Sequence, residues 1–129
     1  LYDALRDMIP AVKLQSYIEK KTIQIAPLAF MRGRTLDNAF VILDEAQNTT
    51  HAQMKMFLTR MGKNAKFLLT GDPGQIDLPR RMISGLKESL LILKNTTGIE
   101  IIYLDDKDVI RHPLVKKIID AYKTIEHDN

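Results

Sequence analysis

The sequence predicts an α/β fold built on a parallel sheet, and three stretches carry that prediction. Phe40-Val-Ile-Leu43 is a continuous apolar run that stops at two adjacent carboxylates, Asp44 and Glu45. A run of this kind reads as a strand buried on both faces. Unpaired carboxylates are too costly to bury, so the strand ends at Asp44. Lys66-Phe-Leu-Leu-Thr70 repeats the construction and breaks into Gly71-Asp72-Pro73-Gly74-Gln75. Between them Met54, Phe57, Leu58 and Met61 recur at helical spacing. A helix joining two parallel strands is a crossover, and such crossovers are almost always right-handed.

Length and composition set the bounds. The chain has 129 residues, the size of one modest domain, with 45% hydrophobic and 27% charged residues, as expected of a globular protein. The formal net charge of +3 permits a phosphate-bearing partner without requiring one. There are no cysteines, which excludes disulfides, thiolate metal sites and cysteine nucleophiles. No apolar run approaches the roughly 20 residues of a membrane span, and no basic-then-apolar leader is present. The expected location is therefore cytoplasmic, with no membrane partner. The first residue is Leu1 rather than Met, which suggests a fragment or a processed product.

Taken in order, Leu1 to Lys20 is predicted helical with a break at Pro10, which suits the first turn of a second helix. Leu1, Leu5 and Met8 share one face, and Leu14 and Ile18 continue it. Thr22 to Ala26 alternates apolar and polar residues and predicts a strand that Pro27 ends or edges. Arg32 and Arg34 flank Gly33, which suits either close approach to a phosphate or a solvated turn. Thr50 and Gln53 fit a capping box for the crossover helix, and Gly62 is placed to end it. Asp72 to Gln75 predicts a type II turn with proline and glycine in the middle. That turn presents Gln75 either to a phosphate oxygen or to water. Arg80 and Arg81 follow as a phosphate-contacting or a solvated pair.

Ser84 to Asn95 is predicted helical, capped by Ser84, with Leu86, Leu90 and Leu93 as its buried stripe. Gly98 closes a turn, and Ile99 to Leu104 predicts a third strand ending in Asp105 and Asp106. Pro113 suits the first position of a last helix, with Leu114, Ile118, Tyr122 and Ile125 on one side and fraying from Glu126 to Asn129. His112 opens that helix and has no second histidine or cysteine at ligand spacing. With no repeat or linker, the chain is expected to form one unit.

The two strand ends have a chemical reading. Open α/β sheets bind ligands at the carboxyl edge of their strands. An aspartate there suits hydrated Mg²⁺, and the adjacent glutamate suits polarising a water. The alternative is that Asp44 and Glu45 merely begin a loop.

Four motifs in order sharpen the choice. Val41-Ile-Leu-Asp-Glu-Ala-Gln-Asn48 resembles the Walker B motif of P-loop ATPases related to superfamily-one helicases. Leu69-Thr-Gly-Asp-Pro-Gly-Gln-Ile-Asp77 is similar to their third motif. Met31-Arg-Gly-Arg-Thr35 and Asp106-Lys-Asp-Val-Ile-Arg-His-Pro113 together resemble the PhoH-like family of bacterial ATPases, whose name carries a link to phosphate starvation. The resemblance implies a P-loop NTPase core, a parallel sheet with flanking helices. It implies ATP as substrate and Mg²⁺ as cofactor. Asp44 would hold Mg²⁺ through water and Glu45 would activate the attacking water. Gln75 would sense the terminal phosphate. Gly71, Asp72, Arg32 and Arg34 would contribute to nucleotide binding. Arg111 would be an arginine finger, in cis or on a neighbouring subunit of a homo-oligomeric ring, unless it pairs with Asp106 or Asp108.

One departure from the family pattern matters. Gly-x-x-x-x-Gly-Lys-Ser/Thr is absent. The only Gly-Lys pair, Gly62-Lys63, has Phe57 in place of the first glycine and Asn64 in place of the hydroxyl. Residues 1–129 are therefore expected to be the carboxyl-terminal part of a single such domain, with the first strand and the phosphate loop missing. Alone, they should bind ATP poorly and hydrolyse it negligibly. Two further functions compete: an RNA- or DNA-binding module driven by ATP, favoured by the pI of about 9.2, and a non-catalytic remnant or oligomerisation piece. Against base stacking, aromatics are only 6% and tryptophan is lacking.

Overall fold

The structure, a computed structural model, describes residues 1–126. The chain divides into two compact units, Leu1–Ile99 and Glu100–Asn129. The first begins with α1 (Tyr2–Met8) and α2 (Ala11–Glu19). Pro10 is the cap residue of α2 and stands one position before its first turn. Its fixed φ and missing N–H are harmless there. Of this helical pair only Leu14 is fully buried.

No strand forms at Thr22–Ala26. Lys21 adopts the left-handed conformation (φ 59°). The Lys21 N–H then donates to the Ile18 carbonyl and the Ile23 N–H to the Tyr17 carbonyl. The amide of Ile23 is thus spent on closing α2, as orphan helix carbonyls demand, and not on a ladder. After Pro27 the chain makes a short 3₁₀ turn, Leu28–Met31.

The sheet is the parallel pair β1 (Phe40–Leu43) and β2 (Lys66–Leu69), in register from Phe40 opposite Lys66 to Leu43 opposite Leu69. A bridge between Leu36 and Met61 precedes it. There the Leu36 N–H donates to the Arg60 carbonyl (2.8 Å) and the Gly62 N–H to the Leu36 carbonyl (3.0 Å). Gly62 therefore does not end the crossover helix, which stops at Leu58. Its role is close approach, since a Cβ on Gly62 would lie 2.8 Å from the Leu36 oxygen.

Both strands alternate exposed and half-buried residues and are not buried on two faces. Phe40 is 64% exposed. With two strands, one face is covered by α3 (His51–Leu58), where Phe57 packs on Phe67 with ring centroids 5.0 Å apart. The capping box of α3 is complete: the Thr50 hydroxyl accepts from the Gln53 N–H, and the Gln53 side chain accepts from the Thr50 N–H. Met54 and Phe57 are buried, while Met61 is half-exposed.

Helix α4 (Gly85–Ile92) starts as predicted and ends three residues early. The Ser84 hydroxyl accepts from the Lys87 N–H. Gly85 is buried, and its N–H donates to the Thr49 carbonyl (2.6 Å). A Cβ there would sit 2.6 Å from the Thr50 oxygen and 2.8 Å from the Met54 Cβ. Gly85→Ala gains about 1 kcal/mol of helix propensity. It also forces backbone apart at an overpacking cost of about 1–3 kcal/mol. A carbonyl oxygen cannot rotate away, so packing wins and a net loss of up to about 2 kcal/mol is expected. A urea midpoint at or above the parent's would show that the helix start shifts without cost.

Ile99–Leu104, a run that begins at the last residue of the first unit, forms no strand. Ile102, Tyr103 and Leu104 are each more than 70% exposed. A strand exists only through its ladder, and among the described residues nothing pairs with this run. Helix α5 (Pro113–Glu126) begins at the predicted proline, and its apolar side, Leu114, Ile118, Tyr122 and Ile125, is exposed. Glu126 is helical, and the rest of the expected fraying segment, residues 127–129, lies outside the described residues.

Candidate functional site

Register sets the site. Because Leu43 lies opposite Leu69, the first residues past each strand, Asp44 and Thr70, come level. The Thr70 N–H donates to the Leu43 carbonyl and the Ala46 N–H to the Thr70 carbonyl, each at 2.9 Å. The Thr70 hydroxyl donates to Asp44 Oδ1 (2.9 Å), which also accepts from the Glu45 N–H (3.0 Å). Asp44 Oδ1 is thus fixed by two donors, and Oδ2 has no protein partner among the described residues.

Glu45 then turns the chain. Its backbone is left-handed (φ 53°, ψ 39°), a conformation that costs a non-glycine residue about 1–2 kcal/mol. The bend feeds a 3₁₀ turn, Ala46–Asn48, and holds the Glu45 carboxylate at the strand end, exposed to solvent. Strain of this kind persists only where surrounding contacts over-determine it.

The contact that does so comes from Gln47, whose importance the pattern of apolar runs did not show. Gln47 is 1% exposed, the one large side chain that is fully buried among the described residues. Its Nε2 donates to Glu45 Oε2 (2.5 Å) and its Oε1 accepts from the Asp72 N–H (3.2 Å). The partners settle which way the amide faces, because a carboxylate only accepts and a backbone N–H only donates. A Cβ on Gly71 would lie 2.7 Å from Gln47 Oε1, so glycine there makes room for the amide. The one available signal in the sequence was a polar residue two places past the acids, beside a glycine-bearing second loop.

The second loop is a hydrogen-bonded turn, with the Gln75 N–H donating to the Asp72 carbonyl (3.0 Å). It is not type II. That type needs positive φ at Gly74, and only Gly33 and Gly98 among the glycines have it. The Asp72 carboxylate supplies the alternative by accepting from the Gly74 N–H (2.8 Å). The Asp77 N–H donates to Asn48 Oδ1 (2.8 Å), a second tie between the two loops. Gln75 stands exposed on the turn.

Asp44, Glu45, Gly71 and Asp72 are therefore brought together, with Gln75 three residues along the same loop. Arg32 and Arg34 are exposed on either side of Gly33 (φ 77°), in a turn closed by the Arg34 N–H to the Met31 carbonyl, and no hydrogen bond or ion pair links them to the strand ends. Arg111 belongs to the second unit. It lines a cavity of about 270 Å³ with Asp106, Lys116 and Asp120. It makes no ion pair with Asp106 or Asp108. Asp108 is instead engaged by the Asp105 N–H (2.7 Å). His112 Nδ1 accepts from the Leu114 N–H (3.1 Å), so it caps α5. Among the described residues no cluster of three metal-ligating side chains exists. None is needed for hydrated Mg²⁺ on a nucleotide, which takes one or two carboxylates plus phosphate oxygens. A hard carboxylate held by two donors with one oxygen free, as at Asp44, fits that requirement.

Two parallel strands joined by a helix, one ending in Asp-Glu and the other in a glycine-aspartate loop, define an α/β chain of the P-loop NTPase-like class. Residues 1–123 match the family described as PhoH-like protein. The chain is 60% identical over 122 residues to a PhoH-like protein of Bacillus subtilis, covering 95% of this chain and 38% of that protein. It is 53% identical over 127 residues to a PhoH-like protein of Synechocystis, covering 98% and 39%. Against Protein PhoH of Escherichia coli it is 43% identical over 124 residues, covering 95% and 35%. The chain belongs to the PhoH-like protein family, and it spans between a third and two-fifths of the length of these curated relatives. Among the described residues no helix is long and apolar enough to cross a membrane.

Proposed function

We propose that this chain carries the water-activating half of an ATP-hydrolysing site. The observation that supports the reading is the convergence at one sheet edge of Asp44, Glu45 and the Thr70–Asp72 loop. Glu45 takes a proton from water as the water oxygen bonds to the terminal phosphorus of ATP. The bond from that phosphorus to the bridging oxygen breaks, and ADP leaves with the electron pair. Gln75 donates its side-chain amide to a terminal-phosphate oxygen. Asp44 would hold Mg²⁺ through water, and the ion would neutralise charge building on the phosphates. Arg32, Arg34 and Arg111 are cations suited to the same phosphates, Arg111 from its own or a neighbouring subunit in a homo-oligomeric ring. The net charge of +3 and the pI of about 9.2 favour coupling of this cycle to RNA or DNA.

The test compares the full-length protein with residues 1–129 alone. The shorter chain contains no Gly-x-x-x-x-Gly-Lys-Ser/Thr loop to cradle phosphates. The full-length protein is expected to release phosphate from Mg²⁺-ATP, with RNA or DNA altering the rate at low salt and losing that effect as salt rises. Residues 1–129 are expected to show no turnover above background. Equal rates for both would overturn the need for the missing loop. No turnover by the full-length protein would favour a non-catalytic interaction piece.

A further inference from the structure

We infer that Gln47 is a positioning residue that locks the Glu45 carboxylate and the Asp72–Gln75 turn into one unit. The inference rests on the ATPase reading above and assigns that site an internal coupling. A buried primary amide has two donors and an acceptor to satisfy, and leaving them unmet is costly. Gln47 engages both ends of its amide across the two loops, with Nε2 on Glu45 and Oε1 on the Asp72 N–H. Its own carbonyl accepts from the buried Ser84 hydroxyl (2.7 Å), so the backbone beneath the amide is pinned to the start of α4. The Gly85 N–H to Thr49 contact fastens the same junction.

A rigid amide between the two loops has a mechanical consequence. The Asp72 N–H and the Gln75 N–H lie at the two ends of one turn, the former held by Gln47 and the latter by the Asp72 carbonyl. The Glu45 carboxylate is thereby held in a fixed place relative to the turn that carries Gln75, so the group that polarises water and the group that meets the terminal phosphate keep one spacing.

Two substitutions in the full-length protein separate the halves of the link. Gln47→Glu keeps an oxygen for the Asp72 N–H and replaces the donor to Glu45 with a second carboxylate. Gln47→Met keeps the volume and removes both bonds. For each, kcat is expected to fall by about tenfold to a hundredfold, the scale of a slightly misplaced catalytic group. KM for ATP is expected to stay within about threefold, because no nucleotide contact is removed. Amide hydrogen exchange supplies a readout independent of turnover. Protection of the Asp72 amide is expected to drop in Gln47→Met. It is also expected to drop in Glu45→Ala, which removes the carboxylate that Gln47 Nε2 holds. A merely structural Gln47 would lower the melting temperature and leave kcat per folded molecule at the parental value. That result overturns the inference, as does unchanged Asp72 protection in Glu45→Ala. A parent without turnover sinks the ATPase reading instead, and the exchange experiment alone then decides whether Gln47 ties the loops.

Discussion

Glu45→Gln in the full-length protein is expected to lower kcat for ATP hydrolysis by about 10²–10⁴, the usual worth of a positioned general base. Nucleotide affinity should change little, because the substitution keeps size and removes only charge and basicity. Stability should also hold within about 0.5 kcal/mol, as for surface changes generally. Residue 45 is exposed, and a glutamine there still offers an oxygen to Gln47 Nε2. Phosphate release under saturating Mg²⁺-ATP, with nucleotide binding measured separately, checks both halves. A variant that binds ATP and turns it over at the parental rate would show that Glu45 is not the catalytic base. A variant that no longer binds ATP would assign the carboxylate to binding.

Phe57→Ala is expected to cost about 3–5 kcal/mol, the range for emptying a buried aromatic site. Phe57 is 2% exposed and is the largest of the four buried apolar residues, with Leu14, Ala46 and Met54, among those described. Its ring meets Phe67 at 5.0 Å and 41°, a tilted aromatic contact. That contact docks α3 on the sheet, and α3 leads back through Thr50 to the turn that holds Gln47. Against a typical total of about 5–15 kcal/mol, the loss would leave a substantial unfolded fraction. Urea unfolding followed by circular dichroism measures it. Phe30→Ala is the control: that ring is 69% exposed, and a change within about 0.5 kcal/mol is expected. A Phe57→Ala loss below about 1 kcal/mol would mean that α3 is held to the sheet by other contacts.

Much of the architecture was legible because it is written locally. The capping box of Thr50 and Gln53, the Ser84 cap, the proline opening α5 and the strand ends at Asp44 and Thr70 all depend on residues within a few places of one another. Each was readable from side-chain chemistry and spacing. The candidate acids were legible for the same reason, since two charges after four apolar residues have to sit at an edge.

What failed depended on which backbone groups find partners, which composition does not show. Thr22–Ala26 and Ile99–Leu104 have strand-like composition, but the first lost its Ile23 amide to the end of α2 and the second has no ladder neighbour among the described residues. Gly62 looked like a helix stop and proved to be a close approach to Leu36.

By itself, the sequence determined the α/β class, the parallel crossover, the edge position of Asp44 and Glu45, and the family. Only the tertiary structure decided that Gln47 is buried between two loops, that Gly71 and Gly85 make room for neighbours, and that Asp44 and Thr70 stand level. These outcomes rest on hydrogen bonds and contacts between residues about 25 to 37 positions apart. Their energies arise only when folding brings the partners within reach, and no local propensity encodes them.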